Sequence, residues 1–208
     1  MSWLWKLCKG RSRSVGGVDL KKLRNKQLTS TEFMQVWFHY DHDKNGYLEY
    51  VEFSKFMKDL FLERDCTDIT ARQVEKYTSE MISLMDTYDE DGDGKFEMSE
   101  LAKVLKLEEN FLENIIAKTT VTDRDTKSVL LHYNSNVNDT IEGPELYAFV
   151  GDIARYLGLK LSLSVVQLGV DQVLAMMGTD VINKAAIRLL LTRESVGKLR
   201  EHFKSEMI

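Results

Sequence analysis

Proline occurs once in the 208 residues, at Pro144, and cysteine twice, at Cys8 and Cys66. Two cysteines so far apart fit no zinc or redox pattern, so a reducing, cytoplasmic location is the expectation. No window reaches about 18 uninterrupted apolar residues, which excludes an expected transmembrane span. The opening stretch MSWLWKLCKGRSRS has too short an apolar run for a cleaved signal peptide. Also missing are a phosphate-cradling glycine loop, a nucleophile elbow and a clustered catalytic triad, so the chain is not expected to be an enzyme. Nor is a nucleic-acid partner expected.

What is present is enough apolar sequence, 43%, for one substantial domain or two small ones. The net charge of −5 hides an asymmetry. Residues 1–28 carry Lys6, Lys9, Arg11, Arg13, Lys21, Lys22, Arg24 and Lys26 against Asp19 alone, a charge of +7, which leaves −12 for the remaining 180 residues. A basic arm on an acidic body bears on partners rather than on fold. Within the arm, Ser12 to Gly17 reads as a flexible linker.

From Thr29 onward, helical periods alternate with polar loops. Thr29 with Glu32 forms a capping box ahead of Phe33, Val36, Trp37 and Tyr40. A second stripe follows in Val51, Phe53, Phe56, Met57, Leu60 and Phe61. Thr70 with Gln73 repeats the capping signal ahead of Val74, Tyr77, Met81, Ile82, Met85 and Tyr88. Leu101, Val104 and Leu105 come next, then a separate apolar segment at Phe111, Leu112, Ile115 and Ile116. Val129, Leu130 and Tyr133 lead into a run of asparagines, and Leu146, Phe149, Val150, Ile153 and Tyr156 lead out, with Pro144 where a first helical turn accepts it. A last repeat spans roughly residues 165–191, and residues 193–207 look like an extra terminal helix. Loops starting at 41, 89 and 134 are 48 and 45 residues apart, so the chain reads as an array of four units.

The loops carry the chemistry. Calcium takes six to eight oxygens at about 2.3–2.6 Å, and a twelve-residue loop supplies them from positions 1, 3, 5, 7, 9 and 12 around a sharp turn at position 6. In residues 41–52 those places hold Asp41, Asp43, Asn45, the Tyr47 carbonyl, Glu49 and Glu52, with Gly46 at the turn. In residues 89–100 they hold Asp89, Asp91, Asp93, Lys95, Glu97 and Glu100, with Gly94 at the turn. Both match the EF-hand pattern in full, and two calcium ions are expected. A third loop places Asn134, Asn136, Asn138, Thr140, Glu142 and Glu145 at the same positions, with Asp139 instead of glycine. Asparagine carbonyls can ligate calcium and Asp tolerates a left-handed turn, yet three neutral ligands replace three anionic ones. A third ion and a metal-free structural loop are the two alternatives there. Around residues 175–186 the ligand positions hold Ala175, Met177, Thr179 and Ala186, so the fourth hand is expected to be a scaffold.

Beyond the loops, TEFMQVWFHYDHDKNGYLEY with FMKDLFL, then EKYTSEMISLMDTYDEDGDGKFEMSELAKVLKLEENFL and IEGPELYAFV, resemble the calbindin, calretinin and secretagogin family of EF-hand proteins. The connector KLEENFL is more telling than the loops, and AMMGTDVINKAAIRLLL is similar to a contracted final hand. The resemblance covers about residues 29–192 and implies cytosolic calcium buffering, with some sensing and target binding. The sequence departs from the family in having four hands rather than six, with the basic arm where the first two would stand, and in the asparagines of the third loop.

The expected fold class is therefore all-α: two EF-hand pairs of helix–loop–helix motifs with short β bridges between paired loops, near Leu48 with Phe96 and Ile141 with Ile182. The expected organisation is an arm over 1–28, a first pair over 29–118 and a degenerate second pair with a terminal helix over 119–208. The arm's Trp3, Leu4, Trp5 and Leu7 beside basic residues suit peripheral contact with an anionic membrane, docking on the protein's own groove, or a solvated tail with no role. Met57, Met81 and Met85 are read first as core and second as a groove exposed by calcium. His39 and His42 lack the partners that a zinc site needs. The leading functional expectation is a calcium sensor or modulator acting on an unidentified protein target in a calcium-dependent way. A passive cytosolic buffer and a membrane-tethered sensor are the alternatives.

Overall fold

The helical periods and polar breaks of the sequence become helices and loops in the computed structural model, which describes residues 14–15, 17–19, 27–62, 71–136 and 138–207. The described residues are mostly helical, with short two-stranded antiparallel sheets between paired loops, as the sequence implies. Contacts divide the chain into two compact units, Met1–Leu28 with Gln35–Leu107, and Thr29–Met34 with Glu108–Ile208. Residues 108–118, grouped with the first pair on sequence, thus belong to the second unit.

Helix α1 (Ser30–Tyr40) starts at the expected capping box: the Thr29 N–H donates to Glu32 Oε2 at 3.2 Å and the Glu32 N–H to Thr29 Oγ1 at 3.1 Å. From Gln35 onward α1 belongs to the first unit, where α2 (Tyr50–Leu62), α3 (Ala71–Tyr88) and α4 (Met98–Val104) follow it. Trp37, Tyr40, Phe53, Phe56 and Phe96 are fully buried there. Phe53 stacks on Phe96 with centroids 4.3 Å apart, and Tyr40 meets Phe56 edge-on at 5.1 Å, so the core lies directly beneath the two loops.

Several expectations need correction. The stretch Ser12 to Gly17 is not wholly a linker: β1 (Ser14–Val15) pairs antiparallel with β2 (Val18–Asp19), and Gly17 turns between them at φ 89°. Val18 is buried there, which gives the hairpin an apolar anchor. Val51 is 77% exposed because the buried face of α2 runs through Phe53, Phe56 and Met57, and a residue two places before Phe53 lies on the far side of a 3.6-residue helix. Ile82 is 46% exposed, off the buried face of α3 that holds Met85. The side chains of Leu60, Phe61, Val74, Tyr77 and Met81, the pair Thr70 and Gln73, and the arm's Trp3 to Cys8 lie outside the described residues.

The second unit contains α5 (Glu113–Ile116), α6 (Asp123–Tyr133), α7 (Pro144–Tyr156), α8 (Leu163–Met177), α9 (Lys184–Leu190) and α10 (Arg193–Glu206). Pro144 occupies the first turn of α7, where a missing N–H costs nothing. Gly169 of α8 admits its neighbours closely: a Cβ there would fall 2.6 Å from Val150 and 2.7 Å from Phe203, too near for any side chain without rearrangement. Asp152 is completely buried and accepts hydrogen bonds from Ser30 Oγ at 2.9 Å, Tyr133 Oη at 2.6 Å and Arg155 Nη1 at 2.8 Å. Burial pushes its carboxyl up in pKa, while these donors pull it back. Arg155 also donates to the Glu108 carbonyl, so the charge pair is tied at both ends.

Candidate metal centre

Loop 1 begins where α1 ends. Asp41 is 1% exposed and its Oδ2 accepts a 3.0 Å bond from the Trp37 indole N–H, one turn earlier on α1. Its Oδ1 is buried without a well-formed hydrogen bond, although the Gly46 N–H lies near enough to favour the charge. Burial raises the Asp41 pKa, opposed by the Trp37 N–H and the Gly46 N–H, while Glu52 and Asp43 add like-charge repulsion. Carboxylate oxygens of Asp41, Asp43 and Glu52 lie within 4.8 Å of one another. Like charges held this close, one of them buried, are what a hard divalent cation neutralises.

The loop backbone is shaped by local bonds. Asp43 Oδ1 accepts from the Asn45 N–H at 3.1 Å, and Asn45 Oδ1 from the Tyr47 N–H at 3.1 Å. Lys44 and Gly46 take positive φ, 59° and 90°. Glu52 reaches back from α2 to accept from the N–H of His42 at 2.9 Å and of Glu49 at 3.3 Å, which closes the loop on itself.

Loop 2 repeats this plan with firmer bonds. Glu100, buried on α4, accepts from the N–H of Glu90 at 2.8 Å and of Glu97 at 2.9 Å. Asp89 accepts from the N–H of Gly92 at 2.7 Å and Gly94 at 2.8 Å, and these donors hold its pKa below the usual carboxylate range. Gly92 and Gly94 sit at φ 71° and 78°. Asp91 and Asp93 accept from the N–H groups two residues on, and the carboxylates of Asp89, Asp91 and Asp93 cluster within 4.8 Å. Strands β3 (Tyr47–Leu48) and β4 (Phe96–Glu97) join the two loops with Leu48 opposite Phe96, the pairing the sequence suggested. Lys95 Nζ also lies 3.9 Å over the Tyr47 ring, a cation–π contact between the two seventh positions.

Loop 3 departs from that plan. The Ser135 N–H and hydroxyl both donate to Glu145 Oε1, so the closure from position 2 to position 12 survives. Glu145 Oε2 is buried without a hydrogen-bond partner, and no bond from Glu142, at position 9, reaches it. The left-handed turn expected at Asp139 is absent, because Lys44 and Lys106 are the non-glycine residues with positive φ among those described. Gly143 instead turns at φ 51° ahead of Pro144, which redirects the chain between positions 9 and 12. Inside the loop the Asn134 amide donates to the Asn138 carbonyl at 3.0 Å and the Asn138 amide to Glu142 Oε1 at 2.6 Å. Both acceptors lack hydrogens, which fixes each amide with its nitrogen inward. Asn45 makes a similar bond to Asp43 in loop 1, but there the first position keeps a carboxylate with a weakly bonded oxygen. Loops 1 and 2 each gather three carboxylates within reach of one ion, and loop 3 forms no such group among the described residues.

The fourth loop is held as a scaffold. Gly178 caps α8 at φ 63°, Asn183 caps α9 through the Ala186 N–H at 3.0 Å, and β5 (Thr140–Ile141) pairs with β6 (Ile182–Asn183) so that Ile141 faces Ile182. The rings of His39 and His42 stand 6.3 Å apart, and neither belongs to a metal-ligating group among the described residues. Sequence reasoning missed Trp37 as part of the site. Its signal was available: it lies four residues before Asp41, on the same helical face.

Residues 30–106 match the model of the EF-hand domain pair. Secretagogin of Mus musculus is 34% identical over 136 residues, 64% of this chain and 48% of the relative. Secretagogin of Danio rerio gives the same figures, and Calbindin-32 of Drosophila melanogaster is 34% identical over 137 residues, 64% of this chain and 43% of the relative.

Over residues 30–106 the chain is an EF-hand domain pair, and it is similar to secretagogin and calbindin.

It is thus a calcium-binding EF-hand protein in kind. This EF-hand protein spans about half the length of the curated relatives it matches. No helix among the described residues is long and apolar enough to cross a membrane.

Proposed function

We propose that this EF-hand protein is a calcium sensor or modulator, holding one ion in each of loops 1 and 2 and acting through a protein target. The observation that carries this reading is Asp41: a buried carboxylate with one weakly bonded oxygen, fixed by Trp37 to the helix that leads into the core. Asp43, Asn45, Glu49, Glu52 and the Tyr47 carbonyl complete the first ligand set. Asp89, Asp91, Asp93, Glu97, Glu100 and the Lys95 carbonyl form the second. A bound divalent ion supplies the positive charge that these carboxylates lack. Asp41 and Trp37 then carry the change in loop charge to the end of α1. Exposed Tyr50, Val51 and Ile82 on α2 and α3 are apolar surface suited to a protein target.

A passive cytoplasmic buffer is the second reading, favoured by loop 2, where Asp89 and Glu100 are already held by four backbone N–H groups. Fluorescence of a hydrophobic dye, with and without calcium, separates the two. A rise on calcium addition supports the sensor, and no rise at two bound ions leaves the buffer. The cytoplasm is the proposed location, with contact between the basic arm and an anionic membrane as an alternative. Vesicle flotation with and without residues 1–13 decides it. That cut spares Val18 and Leu28, which are buried.

A further inference from the structure

A cavity of about 410 Å³ opens in the second unit between α10 and the connector from α7 to α8. Its apolar lining comes from Leu157, Leu159, Phe203 and Met207. Gly158 turns the connector at φ 79°, and both leucines beside it line the space. Phe203 is buried and packs closely against Gly169, which closes the wall on that side. Met207, 52% exposed, forms an apolar lip one turn beyond.

The polarity is one-sided. Arg200 and Lys204, one helical turn apart on α10, are the charged residues of the lining. Lys204 is bridged to Glu201 at 2.8 Å in an exposed pair, which water competes with easily. Arg200 makes no ion pair among the described residues, although Glu201 lies near enough to feel its charge. A cavity of this size is within the range that encloses small ligands, and its chemistry asks for an apolar body with an anionic end. The chain's own N-terminal residues 1–13 are a poor occupant: they carry Lys6, Lys9, Arg11 and Arg13 with no acid, and Arg200 repels them.

From this arrangement we infer that the cavity is a binding site for a free fatty acid, its chain against Leu157, Leu159, Phe203 and Met207 and its carboxylate against Arg200 and Lys204. The site is independent of the calcium loops and of the reading proposed for them. Isothermal titration of the full chain with dodecanoate below its micellar concentration should give one-to-one binding. Backbone amide shifts should move at Leu157, Leu159, Phe203 and Met207. Dodecyltrimethylammonium, with the same tail and the opposite charge, should bind at least about tenfold more weakly, the worth of one charge-assisted hydrogen bond.

Arg200→Glu with Lys204→Glu should reverse that preference. Both positions are exposed, and an unchanged calcium stoichiometry and thermal midpoint show that the variant is folded. Should the double variant fail to fold, Arg200→Gln alone should weaken dodecanoate severalfold. Equal affinity for the two headgroups, an affinity unmoved by the charge changes, shifts confined to other residues, or no binding would each overturn the inference.

Discussion

Loops 1 and 3 share a twelve-residue frame, a buried or half-buried glutamate at position 12 and a backbone bond to it from position 2. They differ at the first position and at the turn. Asp41 presents a buried, weakly bonded oxygen, whereas Asn134 turns its amide nitrogen across the loop. Positive φ falls at Lys44 and Gly46 in loop 1, but at Gly143 in loop 3. The comparison separates two properties that a loop motif combines. Closing loops 1 and 3 uses the glutamate at position 12, while the β bridge uses only the apolar eighth position, which both pairs have. Holding a cation further needs surplus negative charge that the loop's own donors leave unneutralised.

Glu52→Gln with Glu100→Gln is the most drastic way to break that contrast. Each change removes a bidentate oxygen pair, and titration calorimetry should fall from two calcium ions to none. Retention of two ions would refute the ligand assignment. The converse change sharpens the contrast. Asn134→Asp with Asn138→Asp restores charge but leaves Asp139 at a turn it does not make, so stoichiometry should stay at two. Adding Asp139→Gly supplies the left-handed freedom that loops 1 and 2 have at position 6, and a third ion should bind. A third ion without the glycine would mean that charge alone decides.

The sequence made much of this legible. The spacing of Asp41, Asp43 and Asn45 around Gly46 identifies a ligand loop because ligand order and turn are both local. The Leu48–Phe96 and Ile141–Ile182 pairings were legible for the same reason, since each apolar eighth position has one obvious counterpart. Loop 3 was legible only in part. Its loss of acids is plain, but the shift of the turn to Gly143 depends on a competition between backbone conformations at Asp139 and Gly143. Composition does not rank these. The Asp152 network escaped notice because its donors, Ser30, Tyr133 and Arg155, span 125 residues of sequence and meet only on folding. The hairpin at Ser14–Asp19 was hidden by a composition typical of linkers.

Trp37→Phe probes the comparison more gently. The smaller ring leaves a gap but keeps the site apolar, so α1 should stay folded, while Asp41 Oδ2 loses its 3.0 Å indole donor. A hydrogen bond to a charged group contributes about 1.5–3 kcal/mol, so the first site's affinity should change by roughly tenfold or more while the second is untouched. The direction distinguishes two roles. Weaker binding means that Trp37 orients the carboxylate. Tighter binding means that it competes with the ion for charge. Equal change at both sites would mean that the contact is not local to loop 1.

The smallest expected effect concerns how the incoming helices of loops 1 and 3 begin. Both use a threonine cap with an acid three residues on, Thr29 with Glu32 and Thr122 with Asp125. The second acid also pairs with a lysine, Lys118. The Lys118 ammonium, then the Thr122 donors, hold the Asp125 carboxyl well below its ordinary value. A lowered folded-state pKa contributes stability that is fully present above the unfolded value of about 4 and is lost as pH falls through the lower folded one. Urea unfolding of calcium-free protein at pH 7, 5 and 3 should therefore show Asp125→Asn less stable than the parent at pH 7 and pH 5. The gap should narrow at pH 3. Lys118 is half exposed, so the difference should be modest and should shrink with added salt. A gap that stays constant with pH would assign the cap's contribution to the neutral hydrogen bonds of Thr122. The helix ahead of loop 3 would then be held by its threonine cap, without help from the lysine.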